Sequence, residues 1–346
     1  MPINKRPGNG AKGEMSMRYS NGLCRRAFVQ AGIAAALAGL APRLAQAETW
    51  PSRSPSIIVP FAAGGGVDVA TRIIAEHAGG PLGKRFVIEN RGGGSTIPAT
   101  QAVTRAQPDG YTLLAVPTTT VINPAFRSDL PYDWKAELAA VGLIAKLPFV
   151  VVTRANSPVR DLKALAEASR QSKTPLTFGS GGSGTVAHLA GELFGLRNNI
   201  ETQHIPYRGE APALTDTIAG TLDVMFCTLA SAAGQIQSGA LRALAVTTAE
   251  RVPSLPDVPS VAEQGFPGYD VSAWVGIAAP RATPAAIITQ INAAFAEALG
   301  NPALATQLAT LGAVPSGGSP ADFDAFMQAE ATLWAKVVTD AKVRME

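Results

Sequence analysis

A chain of 346 residues, 47% hydrophobic and 16% charged, is long enough for two ordinary domains, each with its own core. Its 29 Lys+Arg and 26 Asp+Glu are unevenly placed: residues 1–47 hold seven of the basic side chains and one of the acidic, leaving 22 against 25 in the remainder. That remainder carries about −3, has no basic run and few aromatics, and so argues against nucleic acid as a partner.

Residues 1–47 read as an export signal and not as part of the fold. Arg25-Arg26 precede Ala27-Phe28, the apolar run 31–40 is too short to span a bilayer, and Ala45-Gln46-Ala47 has the small-x-small form of a cleavage site. RRxF resembles a twin-arginine signal, although Cys24 stands where Ser or Thr is commoner and Gln30 where Lys is, so general secretion is the alternative. Cleavage after Ala47 predicts a periplasmic protein starting at Glu48, with no stable membrane insertion. Cys227 is then the one remaining cysteine, and no internal disulfide forms.

The stretch 57–76 organises the rest of the chain. Ile57, Ile58 and Val59 predict a strand that stops at Pro60, glycines 64–66 form a bare loop, and Val69, Ile73 and Ile74 recur at helical spacing. Glycines at such a corner let a ligand approach the backbone, and the helix start leaves N–H groups unpaired at a partially positive end, which suits an anion. The corner recurs 117 residues on, where FAAGGGVDVA (61–70) lies over FGSGGSGTVA (178–187) with five of ten positions identical and Asp68 facing Thr185.

Between the two corners, 86–90 predicts a second strand, RGGGS (91–95) a glycine loop, 99–105 a helix, and 111–116 a third strand after the Pro108-Asp109-Gly110 turn. Short links between these elements describe parallel βαβ units. The polar loop Thr118-Thr119-Thr120 comes after the third strand, on the edge where open α/β sheets bind ligands. Residues 141–152 run apolar at a length suited to a strand that leaves one domain and enters another.

In the second half, 161–169 predicts a helix, 176–178 a strand, 179–184 the second corner, and Val186, Leu189, Ala190, Leu193 and Phe194 share one helical face. A strand over 202–206 ends in the loop Tyr207-Arg208-Gly209. Residues 213–220 come next as helix and 222–226 as strand, with Cys227 and Thr228 at its end, before the strand 243–247. The proline-rich 251–270 is a connection, and 271–279 is a second crossing strand returning to the first domain. Three helices close the chain over 285–299, 302–311 and 320–338, where Phe323, Phe326, Met327 and Trp334 read as packing.

Enzymatic signatures are sparse. His77, His188 and His204 stand apart with no metal-ligand spacing and read as surface or capping side chains, and neither GxSxG nor Walker A is complete. Gly179, Gly181 and Gly184 do spell GxGxxG after a strand, with Glu201 twenty residues past Gly181, so the alternative is an exported enzyme dependent on a nucleotide cofactor. Against it, Glu201 begins the next strand instead of ending it.

The blocks VPFAAGGGVDVATR, VIENRGGG, PDGYTLL, INPAF, the serine-glycine corner with HLAGELF, IPYRGEAPALTD, LRALAVT, LPDVPSVAEQGFPGY and AWVGIAAP, in this order, resemble the solute receptors of tripartite tricarboxylate transporters, also called Bug receptors. The resemblance runs from Ile57 to the last helix. It implies an α/β, two-lobed periplasmic binding protein of type II-like form, with 48–149 plus 272–346 as one domain, 150–271 as the other, and two crossing strands as hinge. It further implies a monomer with no cofactor and no chemistry of its own, which closes on a small carboxylate and hands it to membrane transporter subunits or to a sensor kinase.

Carried over position by position, the resemblance puts the first-domain grip on Phe61, Ala62, Ala63, Gly64, Gly65 and Asp68, and the second on Ser180, Gly182, Ser183 and Thr185. Asp68, in its helix's first turn, reads first as a structural group. The loop reading adds Thr118 and Thr119. Arg208, beside Tyr207, is placed to reach a second carboxylate. Cys227-Thr228 stands where many relatives carry an acid followed by Asn, which removes a partner for an amine and points away from amino acids.

Overall fold

The computed structural model describes residues 49–266 and 269–341; the export signal and its cleavage point lie outside the described residues. β1 (Ser56–Val59), β2 (Val87–Asn90) and β3 (Thr112–Pro117) are parallel, with Ile57 opposite both Ile88 and Leu113. They are linked through α1 (Gly66–Leu82) and α2 (Ile97–Thr104). β3 then leads straight into α3 (Thr118–Phe126). The triple threonine is therefore a buried helix start and not a polar loop: Thr118, Thr119 and Thr120 are at most 3% exposed, so burial overrides the weak helix propensity of three consecutive threonines.

After the short helix α4 (Trp134–Glu137), β4 (Leu138–Arg154) carries the chain from one half to the other. Up to Pro148 it pairs with β9 (Ser272–Pro280), and from Phe149 its partners are β7 (Val224–Thr228) and β8 (Leu241–Val246). The second half adds α5 (Leu162–Gln171), β5 (Leu176–Ser180), α6 (Val186–Asn198), β6 (Thr202–Pro206), α7 (Glu210–Ala219) and α8 (Leu229–Gln237). β5 runs parallel to β6 and β7. The return crossing is fixed at Val271, whose N–H donates to Thr247 O at 2.9 Å just before β9 begins pairing with β3 and β4.

The strand order is β2-β1-β3-β9-β4-β7-β5-β6, with β8 and β10 (Val314–Pro315) off that path on β4. On the first half, α9 (Ala285–Leu299), α10 (Pro302–Thr310) and α11 (Pro320–Ala341) add sequence from the far end of the chain. Trp274 of β9 packs edge-on against Phe323 and Phe326 of α11, at 5.7 and 5.4 Å between centroids. Gly276 permits this contact, because a Cβ there would lie 2.1 Å from the Phe323 ring. Glu330 accepts the indole N–H of both Trp274 and Trp334.

Candidate functional site: a cleft ringed by helix starts

Each of β1, β3, β5, β6 and β7 leads directly to a helix, so helix N-termini gather at one edge of the sheet. Five of them meet at one cavity. Its wall is made by Gly65, Gly66 and Val67 at α1, Pro117, Thr118 and Thr119 at α3, Thr185, Val186 and Ala187 at α6, Glu210 at α7 and Thr228 at α8. Phe61 and Gly181 from the two glycine corners, and Phe149 and Ala273 beside the two crossings, complete it. The space open to the centre of a water-sized sphere is about 40 Å³, room for a small group.

α1, α3, α7 and α8 start at Gly65, Pro117, Gly209 and Thr228 with no side-chain cap, and only α6 is capped, by Thr185. Of the helices that do not line the cavity, α4, α5 and α10 are capped by Asp133, Asp161 and Asn301, while α2 and α9 are uncapped as well. Helix-start N–H groups and helix dipoles turn partial positive charge toward the cavity without any Lys or Arg on its wall.

The one charged side chain on that wall is Glu210. Its carboxylate accepts the Gly66 N–H at 3.2 Å, the Thr228 N–H at 2.8 Å and the Thr228 hydroxyl at 2.5 Å. Close approach of the two halves depends on glycine. A Cβ at Gly66 would fall 2.0 Å from Thr228 Oγ1, one at Gly92 2.5 Å from Arg208 O, and one at Gly209 2.8 Å from Ala62 N. Between the last two, the Ala62 N–H donates to Arg208 O at 3.0 Å.

A second cavity of about 260 Å³ shares Phe61 and Gly181 with the first and is lined by Gly93, Gly94, Ser95, Thr96, Gly182, Ser183, Tyr207 and Arg208. Residues 93–96 all have positive φ, including Ser95 at 51° and the β-branched Thr96 at 68°. Asn123 braces this loop by donating to Ser95 O at 2.9 Å. The Arg208 head is exposed beside it, and the Tyr207 hydroxyl donates to Asp216 at 2.5 Å. Burial and then Asp216 push the Tyr207 phenol up to about 12.

Of the residues expected from sequence, Phe61, Gly65, Thr118, Thr119, Thr185 and Thr228 line the inner cavity, and Phe61, Gly182, Ser183, Tyr207 and Arg208 the outer one. Ala62 lies in the contact between halves and Ala63 is exposed on the loop. Gly64 and Asp68 hold each other, with the Gly64 N–H donating to Asp68 at 2.9 Å, and Arg72 and Asn90 also bind that carboxylate. Cys227 is fully buried in the second half's core, where burial pushes its thiol well up. Sequence pattern does not mark Glu210, Val67 or Val186 as wall residues, whereas Gly181 belongs to the second glycine corner. The one signal the other three carry is their place at a helix start.

Ser180 is also absent from both walls. Its buried hydroxyl donates to Gly182 O at 2.9 Å and lies 2.6 Å from His204 Nε2. His204 in turn stacks on His188 at 4.0 Å between centroids, with Phe178 beside both. Burial pulls His188 down to about 4; burial, then the neighbouring His188, pulls His204 down to about 3. This serine–histidine pair supports the corner from behind and presents no nucleophile to the cavity. Nor does the GxGxxG segment suit a dinucleotide. Glu201 precedes β6, at the end of the strand remote from the cavity, and the Gly184 N–H is committed to His188 Nδ1 at 3.2 Å. Among the described residues, no group of His, Cys, Asp and Glu is arranged to hold a metal, and no helix is long and apolar enough to cross a membrane.

Residues 70–343 match the family described as "Tripartite tricarboxylate transporter family receptor". The chain is 36% identical over 319 residues to the "UPF0065 protein in tcbD-tcbE intergenic region" of Pseudomonas sp. strain P51, covering 92% of this chain and 95% of that one. Among solved structures it resembles the periplasmic binding protein BugD (TM-score 0.83, 31% identity, 86% of this chain and 100% of that one) and R. palustris Rpa4515 with adipate (TM-score 0.82, 34% identity, 85% and 99%). With these likenesses over nearly the whole described chain, two α/β domains and crossing strands between them, the chain belongs to the tripartite tricarboxylate transporter receptor family, that of the Bug proteins.

Proposed function

We propose that this chain is a periplasmic solute receptor that captures a small carboxylate between its two domains and delivers it to a tripartite tricarboxylate-type membrane transporter. The observation that carries the reading is the meeting of five helix starts, four without side-chain caps, at one cavity whose wall has no basic side chain. Such a surface recognises an anion through main-chain N–H groups. Each charge-assisted hydrogen bond contributes about 1.5 to 3 kcal/mol. Each helix start adds ~0.3 to 1 kcal/mol, or up to ~2 when partly buried. A few such bonds, less the cost of ordering the domains, correspond to micromolar binding, which is roughly 8 kcal/mol.

In this reading the hinge lies where β4 changes partners and where Val271 enters β9, and 48–149 plus 272–346 move against 150–271. A ligand carboxylate meets the inner cavity, and its far end lies toward Arg208 in the outer one. The structure of a relative with adipate, a linear dicarboxylate, supports the ligand class.

Thermal shift of the purified mature protein against mono-, di- and tricarboxylates tests the proposal. A ligand at 100 times its dissociation constant adds about 2.7 kcal/mol of stability. No shift with any aliphatic or aromatic acid would sink it.

A further inference from the structure

Two of the helix starts at the inner cavity are engaged by the chain's own carboxylate. Glu210 belongs to α7 in the second half, yet its Oε2 accepts the Gly66 N–H of α1 in the first half at 3.2 Å. The same carboxylate takes the Thr228 N–H and hydroxyl at the start of α8, at 2.8 and 2.5 Å. No cation on the cavity wall accounts for its position. Its partners are the donors that the corner offers to any anion, and they come from both sides of the cleft.

We propose that Glu210 is an internal latch: its carboxylate ties the two halves together across Gly66 and Thr228 and competes with a ligand carboxylate for those N–H groups. The competition rests on the receptor reading; the latch itself does not. A tethered carboxylate acts at an effective concentration that a free acid must match, so weak acids with few further contacts are rejected. Ligands with a second anchoring group, or with an apolar body to lie against Phe61, Phe149 and Val186, displace the side chain and retain the closed form. Glu210 thereby sets a threshold on which acids the receptor accepts, acting as a specificity-determining residue without forming a bond to them.

The test compares the mature chain with Glu210→Ala and Glu210→Gln, and with Glu201→Ala as a surface control. Calorimetric titration with acetate, succinate and adipate reads the competition, and the radius of gyration from small-angle scattering without added acid reads the latch. Glu210→Ala is expected to bind at least one of these acids tenfold or more tighter than the unaltered chain and to be more expanded without it. Glu210→Gln, which keeps an acceptor but loses the charge, is expected to fall between. A damaged fold lowers affinity, so tighter binding cannot come from misfolding. Equal or weaker binding by Glu210→Ala together with an unchanged radius overturns the latch and leaves the receptor reading standing. If neither chain binds any acid of the wider mono-, di- and tricarboxylate series, aliphatic or aromatic, while Glu210→Ala alone expands, the latch stands and the receptor reading falls.

Discussion

Asp68 and His188 hold the same position in two copies of one corner. Each lies in the first turn of its helix and accepts the N–H of the glycine four residues earlier, Gly64 at 2.9 Å and Gly184 at 3.2 Å. Their helix caps, Gly65 and Thr185, are 120 residues apart (185 − 65), whereas the ungapped sequence match lies at 117. The second corner takes three more residues between its phenylalanine and its cap. Asp68 is therefore matched by His188, and not by Thr185 as sequence pairing has it.

Asp68 fixes the first corner through Gly64, Arg72 and Asn90. Its carboxylate is buried while Arg72 remains half exposed, so its loss strands the Gly64 and Asn90 donors more than a cation. Asp68→Ala is expected to lower unfolding free energy by about 2 to 3 kcal/mol, and Asp68→Asn by less. The midpoint of denaturant unfolding measures both, and a change within 0.5 kcal/mol, about the scatter of ordinary surface substitutions, would contradict the role.

An imidazole in the equivalent place makes the second corner sensitive to acid. His188 and His204 titrate near 4 and 3 in the folded chain, against about 6.5 when unfolded. Between those values the unfolded chain binds more protons, so stability is full above pH ~6.5 and is lost as pH falls through the folded values. The slope approaches about 1.4 kcal/mol per pH unit for each histidine. Protonation also removes the Nδ1 acceptor from Gly184, and Glu192, 4.0 Å from His188 Nε2, offsets only part of the charge. Unfolding curves at several pH values between 7 and 4.5 check this, and His204→Gln is expected to remove about half the slope.

Much of this architecture is written in local pattern. The apolar run 141–152 marks the core of β4 because a strand buried on both faces has no polar alternation, and Val271 to Ala279 marks β9 in the same way. The glycine corners are legible because no other residue suits a bare loop between strand and helix. Glu210 is not, since an acid in a helix's first turn is ordinary for its own dipole and only the fold reveals Gly66 and Thr228 beside it. The pairing of His188 with His204 is hidden as well, because one lies on α6 and the other on β6, joined through Phe178.

Gly66 lets the start of α1 approach Thr228 across the cleft. Any Cβ there meets Thr228 across the halves, while the residue's own helical conformation tolerates alanine. Gly66→Ala is therefore expected to fold normally but to hold α1 away from α8. Carboxylate affinity falls tenfold or more, about 1.4 kcal/mol, and the scattering radius without ligand grows. Unchanged affinity would show that these two helix starts need not approach each other for binding.

Trp274 links the cleft to the core of the first domain. Its backbone N–H donates to Thr118 Oγ1 at 2.9 Å, at the start of α3, while its indole N–H donates to Glu330 at 2.9 Å. Ala273, next to it, lines the inner cavity. Ligand binding is expected to shift the emission of the native chain and to leave that of Trp274→Phe nearly constant, although three other tryptophans remain. A shift that survives the substitution would assign the signal elsewhere.

In the proposed receptor, Arg208 is expected to separate acids by their number of carboxylates. Its stem packs on Gly93, 3.6 Å from a Cβ built there, and its exposed head stands at the outer cavity with no ion pair within 4.0 Å among the described residues. Exposure screens the charge, so the contribution to a second carboxylate is about 1 kcal/mol, roughly fivefold in affinity. Arg208→Ala is therefore expected to weaken succinate or adipate about fivefold in low salt, less in 0.5 M salt, and to leave a monocarboxylate such as butyrate within twofold. Equal losses for one and two carboxylates would place the ligand's far end away from Arg208.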